Sequence, residues 1–155
     1  YINLFGISHI EKDNIDLLAK DSRRITNEDV GVLLDILHLT PHQRILITAG
    51  TYMLPKITLL ILELCQNLYK AVALTGSILP AGFVASDADA NIWSAISILN
   101  SYPVRDIKGI NAMLVFHGRV FKTKQQLEKI NLHPLEVKNL VIQYPLTTVP
   151  TDNIL

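Results

Sequence analysis

Short apolar runs alternate with longer amphipathic segments along most of the chain. Three of the runs predict β-strands, at residues 44–48, 70–74 and 112–116. Segments with apolar residues at helical spacing lie between them. Because strands and helices alternate at the spacing of βα units, the pattern predicts an α/β fold with an open, mainly parallel sheet and helices on both faces.

Three segments predict the main helices. Thr26 and Asp29 have capping-box spacing at the start of the first. The second begins at Pro55 and is apolar nearly all round, which predicts burial between the sheet and another body, often a partner subunit. The third follows Ser86 and Asp87, which are predicted to cap it. The charged segment 122–129 predicts a short helix or a turn.

The two ends of the chain carry weaker patterns. Residues 15–18 predict a strand before a polar turn, and residues 140–143 predict a last strand before an irregular tail. The chain has 155 residues, of which 49% are hydrophobic, so a single domain over residues 1–155 with one core is expected. The first residue is Tyr1 rather than Met, which leaves room for a segment upstream.

Charge and cysteine content exclude several classes of function. The 14 basic and 14 acidic residues balance, and the longest basic cluster, Arg23-Arg24, is too small to predict a nucleic-acid partner. No apolar run reaches about 18 residues, so no membrane span is predicted. The single cysteine, Cys65, lies in an apolar stretch and is expected to be a buried, inert thiol, and the compartment is expected to be cytoplasmic.

Metal, cofactor and acid–base signals are weak. The five histidines share no ligand spacing, and no Gly-x-Gly-x-x-Gly motif occurs, so neither a metal nor a cofactor is expected. His117, beside Gly118, is more typical of a turn residue than of a base. The pair Asp87 and Asp89 is more typical of a helix cap with a solvated acid than of a carboxylate dyad.

Residues 45–54 carry the clearest site signal, because a strand there breaks at Gly50 just before the apolar helix. Such a turn lies at the carboxyl edge of a parallel sheet, where α/β folds bind ligands, and helix N–H groups there suit a carboxylate or phosphate. Thr51 is the polar residue best placed for a ligand, although a tight loop with a capping hydroxyl explains the spacing equally well. Ser22 and the Thr75/Ser77 pair also follow predicted strands.

A threonine nucleophile needs a base, and Lys129 is the one candidate that the order of the chain could return to this edge. A solvated lysine is the simpler interpretation of Lys129.

An ordered series of motifs carries a family resemblance. It runs from Lys20-Asp21-Ser22 and Thr-x-Glu-Asp through Ile-Leu-Ile-Thr-Ala-Gly-Thr and Leu-Thr-Gly-Ser-x-x-Pro-Ala-x-Phe to Ser-Asp-Ala-x-x-Asn-Ile. This series resembles the bacterial-type L-asparaginases, and in particular short members that keep only the N-terminal α/β domain. The likeness covers about residues 17–131, and residues 132–155 lie beyond it.

The resemblance implies hydrolysis of the side-chain amide of asparagine to aspartate and ammonia, without metal or cofactor, in a homo-oligomer. It also implies roles by position. Thr51 and Lys129 correspond to a catalytic threonine and its lysine, and Gly50 to the preceding glycine. Ser22, beside Asp21, corresponds to the serine that holds the substrate α-carboxylate, and Ser77 to a residue whose backbone lines the amide pocket.

Four departures from the family pattern weaken the catalytic expectation. Ala49, Tyr52 and Met53 replace a histidine, an aspartate and a threonine, and no Thr-Gly-Gly-Thr turn occurs in the sequence. Tyr52 cannot hold a substrate ammonium as a carboxylate would, and its ring is expected in the pocket. Losing one acid–base group costs about 10²- to 10⁴-fold in rate. Two hypotheses therefore stand, a weak or inactive amidohydrolase and a non-catalytic module (a pseudoenzyme) for amino-acid binding or assembly.

Overall fold

The computed structural model describes residues 21–103, 107–130 and 132. The strands predicted at 15–18 and 140–143, and the tail that follows, lie outside these residues.

The described strands form one sheet in the order β1 (Arg44–Thr48), β2 (Ala71–Thr75), β3 (Asn111–Phe116) and β4 (Arg119–Phe121). The first three are parallel, and β4 pairs antiparallel with β3 through a two-residue turn. Thr48 is level with Thr75, so β1 and β2 end at the same edge. The mainly parallel open sheet is confirmed. Strand β4 was not predicted, because three residues are too few for a recognisable alternating pattern.

The helices are α1 (Asn27–Leu39), α2 (Leu54–Leu64), α3 (Ala88–Ser101) and α4 (Lys124–Lys129), with a short 3-10 helix at Ser22–Arg24. Both bonds of the predicted capping box of α1 are present, from Asp29 N–H to the Thr26 hydroxyl and from Thr26 N–H to the Asp29 carboxylate. Pro lies in the first turn of α2, where its missing N–H costs no helical bond.

Alternate residues of the central strands bury opposite faces of the sheet. Val72 and Leu74 belong to a core cluster with residues of α1, α2 and α4, whereas Ala71 and Ala73 belong to a second cluster with residues of α3. Helices therefore cover both faces, as predicted. Burying each large aliphatic side chain contributes about 1.5–3 kcal/mol. A shift of one strand by one residue would move its side chains to the opposite face, so the two clusters stabilise the observed register of the strands.

Two predictions about single segments can be compared with the structure. Cys65 is buried, and its burial raises the pKa of the thiol, in agreement with an inert cysteine. Helix α2 packs between the sheet and α4. Within the described ranges, every helix is too short or too polar to cross a membrane.

Candidate functional site

The turn between β1 and α2 lies at the carboxyl edge of the sheet. The Ala49 N–H donates to the Thr75 carbonyl at 3.0 Å, so pairing with β2 continues one residue past β1. Thr51 and Tyr52 then turn the chain into α2, whose N-cap residue, Met53, supplies no side-chain acceptor. Thr51 is half-buried, and its hydroxyl makes no hydrogen bond within the described part of the chain. This hydroxyl is therefore not used as a cap.

Ser22 lies directly against this turn. A Cβ placed on Gly50 would be 2.5 Å from the Ser22 Oγ and 2.7 Å from the Ser22 Cβ. Only a glycine fits at that approach, so the absence of a side chain at Gly50 is what admits the serine. The structure thus brings Ser22 against the turn that contains Thr51, the residue predicted to share an edge with it.

The turn after β2 packs against the same segment. A Cβ on Gly76 would lie 2.2 Å from the Ala49 carbonyl oxygen and 3.1 Å from Leu54 Cδ1. The next residue, Ser77, is half-buried. Thr75 is fully buried and its hydroxyl donates to the Val115 carbonyl at 2.7 Å, so Ser77 is the hydroxyl of this pair that remains for a ligand.

Asp21 is engaged locally with Arg23. Its carboxylate accepts the Arg23 backbone N–H at 2.9 Å and the guanidinium Nη2 at 2.6 Å, and so caps the short 3-10 helix. These bonds to Arg23 hold the pKa of Asp21 well below its usual range. Asp21 is exposed and ionised beside Ser22.

The remaining predicted site residues are more exposed. Tyr52 is 51% exposed. Lys129 is the last residue of α4, which packs against α2 through the buried Leu127 and an ion pair between Lys124 and Glu63 at 2.9 Å. Lys129 is exposed and has no hydrogen bond or ion pair within residues 21–103, 107–130 and 132. The described contacts therefore join Ser22, Gly50 and the Ser77 loop, but not Lys129.

A polar cluster that the sequence did not predict lies farther along the same edge. The Asp87 carboxylate accepts from the Ile78 N–H at 2.9 Å, the Leu79 N–H at 3.1 Å, Asn91 Nδ2 at 2.9 Å and His117 Nε2 at 2.8 Å. Burial raises the pKa of Asp87, but the Leu79 N–H, His117 and the Ile78 N–H outweigh burial and leave the pKa lower than usual. This carboxylate is ionised at neutral pH.

Asn91 completes the cluster and is 1% exposed. Its Nδ2 also donates to the Gly76 carbonyl at 2.9 Å, and its Oδ1 accepts the His117 backbone N–H at 2.9 Å. One amide group therefore connects the turn after β2 with the turn after β3.

The structure can be compared with the predicted roles of four residues around the start of α3 and the β3–β4 turn. Asp87 occupies the N-cap position of α3, but its side chain makes no capping bond, because the carboxylate is turned toward Ile78 and Leu79. Ser86 takes the capping part, accepting the Ala88 N–H at 3.1 Å. Asp89 is exposed, as expected for a solvated acid. His117 is a turn residue as predicted, and it also contacts Asp87, which spacing could not reveal across 30 positions.

No trio of His, Cys, Asp or Glu side chains among the described residues is placed to hold a metal ion. This edge of the sheet brings the turns after β1 and β2 into contact and packs Ser22 against Gly50. It also carries the half-buried hydroxyls of Thr51 and Ser77 and the hydrogen-bonded pair Asp87–His117. Such a set of polar groups suits a small polar ligand.

The fold is an α/β domain with an open, mainly parallel sheet, and domains of this class bind ligands beyond the carboxyl ends of their strands. Comparison with known proteins makes the assignment specific, because the model of the asparaginase N-terminal domain matches residues 3–149. The chain belongs to the asparaginase family. The resemblance seen in the sequence motifs is thereby confirmed.

Two solved structures are similar to this chain. One is a probable cytoplasmic L-asparaginase from Campylobacter jejuni, with 20% identity and a TM-score of 0.56 over 68% of this chain and 33% of that chain. The other is L-asparaginase I from Vibrio cholerae O1 biovar eltor, with 25% identity and a TM-score of 0.57 over 66% of this chain and 30% of that chain. The match thus spans about a third of these proteins. No curated protein matches the sequence.

Proposed function

We propose that this domain binds a small amino acid of the asparagine or aspartate type at the carboxyl edge of its sheet, and hydrolyses the side-chain amide only weakly. The observation that carries the proposal is the contact of Ser22 with Gly50, next to Thr51 and opposite the Gly76 turn. The family, and the asparaginases named among the similar structures, support the substrate class.

Each residue has a chemical role in this proposal. The Ser22 hydroxyl donates to the ligand α-carboxylate, and the backbone of Ser77 lines the pocket for the side-chain amide. The Thr51 oxygen attacks the amide carbon as its proton passes to the Lys129 amine, which has to reach Thr51 when the ligand is bound. The amine returns this proton to the amide nitrogen, the C–N bond breaks, and ammonia leaves. Water then hydrolyses the acyl-threonine, which releases aspartate and restores the hydroxyl. No step requires a metal or a cofactor.

The expected weakness follows from particular side chains. Tyr52 stands where a carboxylate would hold the substrate ammonium, and Ala49 offers no polar group. Each missing polar partner costs about 10²- to 10⁴-fold in rate, and such losses do not simply add.

Binding without turnover is the second candidate function. The observation that favours it is the 51% exposed Tyr52, a phenol in the position of an acid. In this case Thr51 contributes a hydrogen bond and no covalent step.

A binding and turnover experiment separates the candidates. Calorimetry with L-aspartate should give measurable affinity that falls about tenfold in Ser22→Ala, because hydrogen bonds to charged groups contribute about 1.5–3 kcal/mol. Ser101→Ala is the matched control, since this exposed serine lies at the far end of α3 and its hydroxyl donates, among the residues the structure describes, to the Ile98 carbonyl alone. No affinity for aspartate or asparagine would refute the proposal.

Ammonia release from L-asparagine distinguishes the two functions. A slow release that Thr51→Ala abolishes identifies the weak hydrolase, and a release equal to background in both proteins identifies the binding module. A rate typical of an efficient enzyme, about 10 s⁻¹, would contradict the proposed weakness.

We also propose a cytoplasmic location and a homo-oligomer. The name of the similar Campylobacter jejuni protein supports the location. Large exposed apolar side chains, Leu64 and Tyr69 among them, support assembly between copies. Sedimentation analysis tests the assembly, and a single monomeric species at micromolar concentration would contradict it.

A further inference from the structure

The Asp87 carboxylate joins three segments of the chain, of which the β3–β4 turn is 30 residues away in sequence. It accepts two backbone N–H groups from the loop 76–79, the Asn91 amide from α3, and His117 Nε2 from the β3–β4 turn. Because a carboxylate accepts and does not donate, the His117 ring must present Nε2–H to it. Charge-assisted bonds of this kind are stronger than bonds between neutral groups.

His117 is held in a conformation that aims its ring at this carboxylate. Its φ is +47° and that of Gly118 is +70°, as required by a two-residue hairpin turn between the paired Phe116 and Arg119. Left-handed backbone is uncommon for a residue with a side chain. The Asn91 Oδ1 fixes it further by accepting the His117 N–H.

The loop held by this cluster lines the proposed ligand site. Gly76 packs against the Ala49 carbonyl, and its own carbonyl accepts a hydrogen bond from Asn91 Nδ2. Ile78 and Leu79, whose N–H groups Asp87 binds, follow Ser77 directly. The position of Ser77 is therefore set from both sides, by the turn after β1 and by Asp87.

We propose that Asp87 and His117 are positioning residues that clamp loop 76–79 in its ligand-binding conformation. The inference rests on the proposed function and assigns the clamp to the same site. His117 acts through Asp87, because it fixes the carboxylate that binds the Ile78 and Leu79 N–H groups. Neither Asp87 nor His117 belongs to the two apolar core clusters, and the His117 ring contacts them only through the ring of Phe116, 4.5 Å away within the described residues. Removing the clamp should therefore loosen the loop without unfolding the sheet.

His117→Gly is the sharpest test, since glycine adopts the left-handed turn freely and removes only the ring. Amide hydrogen exchange should speed up about tenfold at Ile78 and Leu79, while the amides of Leu114 and Val115 in β3 keep their protection. Aspartate affinity should fall about tenfold, as for the loss of one charge-assisted hydrogen bond. Asp87→Asn should act in the same direction, and the exposed Asp89→Asn is its matched control.

The outcomes separate the clamp from the proposed function. Unchanged exchange at Ile78 and Leu79 in His117→Gly would overturn the clamp, whatever the ligand does. Faster exchange throughout β3, or a large drop in the urea midpoint, would show that His117 only supports the fold and would also overturn it. Faster loop exchange with unchanged aspartate affinity would overturn its role in binding. A wild-type protein that binds no aspartate would refute the proposed function and with it the binding role, while the exchange data still decide whether the loop is held.

Discussion

Gly76 shows how one residue sets the distance between two turns of the site. A Cβ there would lie 2.2 Å from the Ala49 carbonyl oxygen, and a backbone atom cannot rotate away as a side chain can. Gly76→Ala should therefore destabilise the domain by about 1–3 kcal/mol, as overpacking does. Gly82→Ala is the control, because nothing lies within 4 Å of its Cβ position. Equal urea midpoints for the two variants would contradict the close approach.

The residues that replace the family pattern can be tested directly. Ala49→His combined with Tyr52→Asp restores a carboxylate that can bind the ligand ammonium, so aspartate affinity should rise about tenfold. Tyr69→Asp, at another exposed tyrosine, introduces the same charge change away from the site. Calorimetry that shows no gain in the double variant would mean that Tyr52 does not line the pocket.

At the residue scale, the sequence predicted some site contacts and missed others for a physical reason. Ser22 and the turn that contains Thr51 could be placed at one edge, because polar residues that follow parallel strands share that edge. The contact of Asp87 with His117 could not be predicted, because a His-Gly pair occurs in tight turns whether or not the histidine has a partner. The direction of the ring depends on the left-handed backbone of His117. Asn91 is the asparagine of the Ser-Asp-Ala-x-x-Asn-Ile motif, but the motif did not indicate that its side chain bonds to Gly76 and His117.

Helix α1 combines a strong start with a weak interior. Gly31 lies in its second turn, and a Cβ there would meet nothing within 4 Å. Gly31→Ala should raise the free energy of unfolding by about 0.5–1 kcal/mol, because alanine loses less backbone entropy in a helix. Urea unfolding measures this gain. A loss of stability would indicate a contact at residue 31 that the described residues do not make.

The start of α1 provides the opposite test. Thr26→Ala removes the hydroxyl that accepts the Asp29 N–H, one half of the capping box. The free energy of unfolding should fall by about 1 kcal/mol, as for other lost N-caps. Thr26→Ser keeps the acceptor and should stay close to the wild-type protein. Equal losses in both variants would assign the effect to the methyl group instead.

Element boundaries were predictable where the chain gives a local signal. Strand β1 has the predicted limits, Arg44–Thr48, and β2 and β3 differ by one residue at their ends. Helix α4 begins two residues later than the predicted segment, because Thr123 forms a capping box with Gln126. The pairing of β4 was not visible, since hairpin registration depends on the turn and on contacts with β3.

At the scale of the whole molecule, alternation of strands and helices is enough to predict the layers. Each parallel strand needs a crossover, and short right-handed crossovers place helices on the faces of the sheet. The alternation of strands and helices predicts the arrangement of the site only in part. Topology places the turns of β1, β2 and β3 at one edge, but the order of contact from Ser22 through Gly50, Gly76 and Asn91 to His117 depends on side-chain geometry.

The same network links the stability of the domain to pH. The pKa of Asp87 is below its usual value of 3.8, because the Leu79 N–H, His117 and the Ile78 N–H together outweigh the effect of burial. A carboxyl group whose pKa is lowered on folding stabilises the native state above its unfolded pKa. That contribution is lost as pH falls below about 4 through the folded pKa.

Asp87→Asn should therefore be less stable than the wild-type protein at pH 7, and the difference should shrink as pH falls below about 4. Urea unfolding from pH 7 to pH 3 measures both curves. Asp89→Asn should retain the wild-type slope, because that carboxylate is exposed. Protonation weakens the hydrogen bonds that the Asp87 carboxylate accepts from Ile78, Leu79 and His117. Parallel curves for Asp87→Asn and wild type would therefore show that these bonds contribute nothing to the acid sensitivity of the fold.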